Sequence, residues 1–306
     1  MHPALSIIVF TTVSGLGYGL AAALGLGLLN PALVSTKLAH FVALAMIGGG
    51  LLSSTLHLGN PQRAWRALSQ WRSSWLSREG VMAIVTFVPL CISAYAAIFH
   101  SRYLLLPGLL GVVGAGVTVY CTSMIYASLK SVQAWHTPLT PLCYLLFAGA
   151  GGSLLSLLFA VAGGGETLML ALLSIAFLGA AWTAKLAWRR NMENMVPLST
   201  PESATGLGNL GRVRLFERPH INDNYLTSEM GFRVARKHAD KLAKISLIAG
   251  GIMPAVLVLG VLASGASGLG VALAPLAVLS HAVGMLTERW LFFAEARHAV
   301  MNYYGG

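Results

Sequence analysis

Apolar residues in this chain come in blocks of about twenty, each long enough to carry a helix across roughly 30 Å of hydrocarbon. A helix on the surface of a soluble domain would instead space its apolar positions at i, i+3, i+4 and i+7. The blocks lie near 5–29, 38–59, 81–99, 104–125, 141–163, 167–188, 244–265 and 269–291. They predict an all-α integral membrane protein: one polytopic domain over residues 1–306 with eight transmembrane helices. With 56% hydrophobic and 10% charged residues, little is left over for a separate soluble domain. Glycine recurs inside the blocks, as in "GLGYGL" and "AGAGG". In water that would argue against helix, but between membrane helices small residues let backbones approach closely. The N-terminal "MHPALSIIVF" has no basic n-region, so the first block is expected to be a retained span and not a cleaved signal.

An even number of spans puts both termini on one side with the connections 60–80, 126–140 and 189–243. The other side holds only 30–37, 100–103, 164–166 and 266–268. Of the twenty Lys and Arg residues, all but Lys37 and Arg102 fall on the first side. By the positive-inside rule that side is cytoplasmic, which predicts a multi-pass membrane protein with both ends facing the cytoplasm. The net charge of +10 is then an orientation signal with some attraction to anionic lipid, and does not indicate nucleic-acid binding.

The 189–243 connection is long for a membrane protein whose other loops are short. It carries turn signals at Gly206, Gly208, Gly211 and Pro219, then a basic run expected to be helical from about Thr227 into the seventh span. Its apolar content is too low for independent folding, which suggests a docking segment for another cytoplasmic protein; a basic loop lying on lipid headgroups is the alternative. Cys91, Cys121 and Cys143 stand singly in apolar blocks without C-x-x-C spacing, so small buried thiols are expected and a metal centre of the chain's own is not.

His57 closes the second apolar block, and Glu79 opens the third at the same boundary. Between them "NPQRAWRALSQWRSSWLSR" places Trp65, Trp71 and Trp75 where amphipathic rings sit among headgroups. A quinone entering from lipid needs a hydrogen-bonding group at its carbonyl oxygens and exchanges two protons per two electrons. Imidazole suits that task, a carboxylate can conduct the proton, and Arg63 or Arg66 is near enough in sequence to hold Glu79 ionised. A lone interfacial histidine can equally be an anchor or a helix C-cap, and spacing alone leaves both readings open. No carboxylate is expected in mid-span and no inverted repeat is evident, which disfavours a carrier. His40 and His281 could serve as axial ligands of a b-type haem, but their different depths weaken that pairing.

The stretches "LHLGNPQRAW", "LSREG" and "MIYASLKSVQAWHTPLTP" resemble the membrane-anchor subunits of the dimethyl sulfoxide reductase type. The loop "ATGLGNLGRVRLFERPHINDNYLTSEMGFRVARKHADKLAK" is similar to the branch that anchors cytoplasmic sulfite:quinone dehydrogenase. The resemblance implies a three-subunit oxidoreductase. In it a molybdenum bis-pyranopterin catalytic subunit and a four-cluster ferredoxin-like iron–sulfur subunit work with this chain, which supplies the quinone site. It implies quinone-site roles for His57 and Glu79, and Arg63 matches the basic residue after L-H-L-G-x-P. Tyr126 and Trp135 flank the next connection on the same side and are expected as cavity walls or docking contacts. An inward-facing site fits sulfite oxidation with quinone as acceptor better than sulfoxide reduction outside the membrane.

Overall fold

The computed structural model describes residues 4–55, 60–214, 216–217, 234–264 and 267–304. Among these, eight helices are long and apolar enough to cross a membrane. They are α1 (Leu5–Gly25), α2 (Val34–Thr55), α3 (Trp75–His100), α4 (Leu105–Ala127), α5 (Leu139–Gly163) and α6 (Leu168–Glu193). Next comes α7, built from Val234–Leu247, one π-helical turn at Ile248–Ile252 and Met253–Ser264. The last is α8 (Gly268–Ala294). Helices extend past the hydropathic blocks wherever polar residues still carry the backbone bonds. Thus α3 starts at Trp75, capped by Ser74, and α6 runs on to Glu193. The expected helix start near Thr227 lies outside the described residues.

The central pair is α1 and α5, the two spans with the largest buried share. In lipid no hydrophobic drive pulls helices together, so close van der Waals packing must hold them. Here that contact is backbone on backbone. A Cβ on Gly19 would strike the Ala148 carbonyl, and one on Gly152 would strike the Gly19 backbone. Around this pair the outward faces carry exposed Leu, Val, Ile and Phe, as in Leu106, Val113 and Phe99.

Side-chain bonds fix which helix ends meet. Ser53 at the end of α2 donates to the Ser6 carbonyl at the start of α1 (3.1 Å), and Arg189 of α6 reaches Asp240 of α7 (2.6 Å). The Ala299 amide, beyond α8, donates to the Ser131 carbonyl in the α4–α5 connection (2.8 Å). These contacts gather one end, here the loop end. At the opposite end the Tyr103 hydroxyl ties the start of α4 to the Gly25 carbonyl of α1 (2.9 Å).

Candidate functional site

The α2–α3 connection becomes a 3-10 helix, Pro61–Gln70, packed beside the first turn of α3. The Arg78 guanidinium closes this connection, donating to the Trp71 carbonyl (3.0 Å) and the Arg72 carbonyl (2.7 Å) while stacking on Trp75 at 4.2 Å. The Ser77 hydroxyl donates to the Ala67 carbonyl. Trp65 and Trp71 stand exposed, whereas Trp75 leans edge-on against Tyr120. With Arg78 drawn outward, the next residue on the helix, Glu79, turns inward.

Glu79 is 4% exposed and accepts a hydrogen bond from the Thr122 hydroxyl of α4. The ionic support expected from Arg63 or Arg66 is replaced by this neutral donor. Arg63 is exposed on the 3-10 helix, Arg66 lies over the Trp65 ring at 5.5 Å, and Glu79 is in no ion pair among the described residues. Helix rotation is the cause, because Glu79 faces α4 and the arginines face away. His57 lies outside the described residues, between Thr55, the last residue of α2, and Asn60, which precedes the 3-10 helix.

Tyr126 and Trp135 do come together, but in the interior. Their rings meet at 5.4 Å in a cluster with Tyr144, Phe292 and Phe293, and Trp135 is 2% exposed. The Trp135 indole N–H donates to the Phe292 carbonyl near the end of α8 (2.9 Å), so the α4–α5 connection folds back into the bundle. Both side chains are buried among these rings.

A second polar group lies in the same layer. Glu288 is buried between two cations, with Lys185 Nζ at 2.6 Å and Arg289 Nε at 2.5 Å. The Lys185 ammonium also sits over Trp188 at 3.7 Å, and the Arg289 guanidinium over Tyr144 at 4.1 Å. Glu79 and Glu288 are both buried within spanning helices, each near the loop-end terminus of its helix and neither in mid-span. The signal was present in "LTERWLFFA" and "TAKLAWRR", where charges interrupt apolar runs at corresponding depth. Between the two groups is a cavity of about 20 Å³, lined in part by Thr12, Thr122, Tyr144 and Arg289.

His40 and His281 are kept apart. His40 borders a small cavity with Leu24 and Gly25 near the opposite end, while the His281 Nδ1–H donates to the Gly250 carbonyl in the π turn (2.7 Å). Counted from the opposite-end starts of α2 and α8, their depths differ by roughly 10 Å at 1.5 Å per residue. Cys121 and Cys143 are buried as expected, but Cys91 is exposed on the outer face of α3. Among the described residues no His, Cys, Asp and Glu side chains converge as a metal site.

At the loop end a larger polar cavity of about 480 Å³ opens between the α4–α5 connection, the end of α6, the start of α7 and the C-terminal segment. Lys130, Arg189, Asp240, Glu295 and Arg297 line it. Burial lifts the Glu295 carboxyl above the usual carboxylate range, against the opposing pull of Arg189 at 3.5 Å.

Residues 1–209 match the model of the family described as DMSO reductase anchor subunit (DmsC). The C subunit of sulfite dehydrogenase from Allochromatium vinosum is 31% identical across 99% of both sequences. The C component of anaerobic dimethyl sulfoxide reductase from Escherichia coli is 30% identical over 39% of this protein and 42% of its own length. Its counterpart from Haemophilus influenzae is 29% identical over 38% and 42%. No solved structure matches. Eight apolar helices, an end-to-end match to one relative and the family model together make this a multi-pass membrane protein, and the chain belongs to the DMSO reductase anchor subunit (DmsC) family.

Proposed function

We propose that this chain is the quinone-binding membrane anchor of a three-subunit molybdoenzyme that passes electrons from sulfite to the quinone pool. The observation that carries the reading is Glu79, a carboxylate buried one turn inside α3 at the loop end, with a hydroxyl donor and no cationic partner among the described residues. A carboxylate held in that way can take up and release a proton where quinone would arrive from lipid. His57 follows the last described residue of α2 by two positions and supplies an imidazole to orient a quinone oxygen. Arg63, exposed on the adjoining 3-10 helix, is placed to meet an anionic form of the quinone or a headgroup.

Reduction to quinol takes two electrons and two protons. The electrons come from a ferredoxin-like iron–sulfur partner, itself fed by a molybdopterin catalytic subunit. These partners dock at the loop end, where the polar 480 Å³ cavity and the 189–243 segment offer charged and hydrogen-bonding groups. The charge asymmetry supports a cytoplasmic placement of that end, in the bacterial inner membrane. Sulfite is favoured as electron donor because the sulfite dehydrogenase relative matches along the full length, whereas the dimethyl sulfoxide reductase relatives match over about two-fifths. Quinol oxidation coupled to sulfoxide reduction is the second reading, supported by those shorter matches.

The test uses the assembled complex in membranes. Glu79→Gln and His57→Ala should each lower sulfite-dependent quinone reduction by about 10²- to 10⁴-fold, as expected for loss of an acid–base group. Sulfite oxidation with a water-soluble dye should persist. Unchanged quinone reduction by an intact complex carrying either variant removes that residue from the site. Turnover with dimethyl sulfoxide and quinol, but none with sulfite, would select the second reading.

A further inference from the structure

The polar layer at the loop end has two halves that do not touch directly. In one, Thr122 donates to Glu79; in the other, Arg289 and Lys185 enclose Glu288. Their depths agree. Glu79 lies four residues from the start of α3, Thr122 five from the end of α4, Tyr144 five from the start of α5 and Arg289 five from the end of α8. At 1.5 Å per residue that is roughly 6–8 Å from the helix ends.

The cavity between them has a volume of about 20 Å³. A water needs about 10–15 Å³ measured in this way, together with two to four polar partners. Thr12 Oγ1, Tyr144 OH and Arg289 Nη1 all belong to residues that line the cavity and are at least nine-tenths buried. Thr12 Oγ1 has no hydrogen-bond partner among the described residues, and Tyr144 OH and Arg289 Nη1 find at most each other. Buried polar atoms are nearly always satisfied, by protein or by ordered water.

We propose that this cavity is a binding site for one internal water molecule, which joins Glu79, through Thr122, to Arg289 and Tyr144. The donor inventory fixes how the water sits. Arginine can only donate, so the guanidinium holds the water oxygen and turns its hydrogens toward hydroxyl oxygens. Thr122 then accepts from the water and commits its own proton elsewhere. Two acceptors are within its reach, the Thr118 carbonyl at 3.0 Å and the Glu79 carboxylate. The charge-assisted bond to the carboxylate is the stronger. When Glu79 takes up a proton, Glu79 can donate to Thr122 and Thr122 can return to Thr118. The water site thus makes Arg289, Tyr144 and Thr12 positioning residues for the proton held at Glu79.

Why this link matters rests on the quinone reading above, but the water site can be tested separately. In the membrane-bound complex, the carboxyl stretch of Glu79 is assigned in infrared difference spectra by its loss in Glu79→Gln. Thr12→Val and Tyr144→Phe each remove one partner of the water at nearly constant volume. A Glu79 band that moves in either variant supports the site, and quinone reduction should then slow by roughly ten-fold, less than the loss of the acid itself. A Glu79 band unmoved in both variants overturns the proposal. If Glu79→Gln leaves quinone reduction intact while the band still moves, the water link stands and the quinone assignment falls.

Discussion

At the scale of single residues, the decisive property is which way a helix turns a side chain, and that is the property a linear reading resolves least. Glu79 was legible as a candidate because a carboxylate at the edge of an apolar block is unusual. Its partner was not, because chain order put Arg63 and Arg66 nearest while the rotation of α3 aims Glu79 at Thr122 and sends Arg78 to the carbonyls of Trp71 and Arg72. Glu288 shows the same limit from another direction. Read along the chain, Glu288 and Arg289 look like a boundary pair; in the fold, Lys185 arrives from α6 and the carboxylate becomes the counter-ion of two buried cations. Removing one partner of a buried ion pair leaves uncompensated charge, which costs about 3–5 kcal/mol. Glu288→Ala should therefore lower the thermal midpoint of the detergent-solubilised protein markedly, and adding Lys185→Met to that variant should recover part of the loss. A double variant no more stable than Glu288→Ala alone would show that the two cations are satisfied in some other way.

At the scale of elements, the spans were legible because length and hydropathy set them, whereas their ends were not, because a helix continues past the apolar block wherever caps and polar side chains support it. The α4–α5 connection shows a related limit. Tyr126 and Trp135 were expected as cavity walls or docking contacts, and chain order gave no sign that the indole of Trp135 finds the Phe292 carbonyl and draws the segment inward. The π turn in α7 had no sequence signal beyond paired glycines. It presents the Ala249 and Gly250 carbonyls to Ser280 (2.7 Å) and His281 (2.7 Å) of α8. Glycine matters most where α1 crosses α5, since any side chain at Gly152 must displace the Gly19 backbone. A flexible side chain could give way there, but a helix backbone cannot. Gly152→Leu should separate the central pair and leave little folded protein after extraction, whereas Gly179→Leu, where a Cβ would meet nothing within 4 Å, should extract normally. Size-exclusion profiles of the two variants compare them directly, and equal yields of monodisperse protein would mean that the crossing is not the contact holding α1 to α5.

At the scale of the whole molecule, the distribution of charge decides which side of the membrane each end of the bundle faces. The contacts Ser53–Ser6, Arg189–Asp240 and Ala299–Ser131 bring the start of α1, the end of α2, the end of α6, the start of α7 and the C-terminal segment to one end. Eighteen of the twenty Lys and Arg residues belong to that end by sequence position, against Lys37 and Arg102 at the other. Each basic residue near an anionic cytoplasmic leaflet is worth about 1 kcal/mol, so an excess of this size outweighs a few misplaced charges. A fluorescent reporter that matures only in the cytoplasm should therefore light up when fused after Gly306 and stay dark when inserted at Gly165, with an export-dependent phosphatase giving the opposite pattern. The reverse result would put Glu79 and the polar loop-end cavity on the outer face. A cytoplasmic sulfite-oxidising partner could not reach them there, and the sulfite reading would give way to an exported reductase.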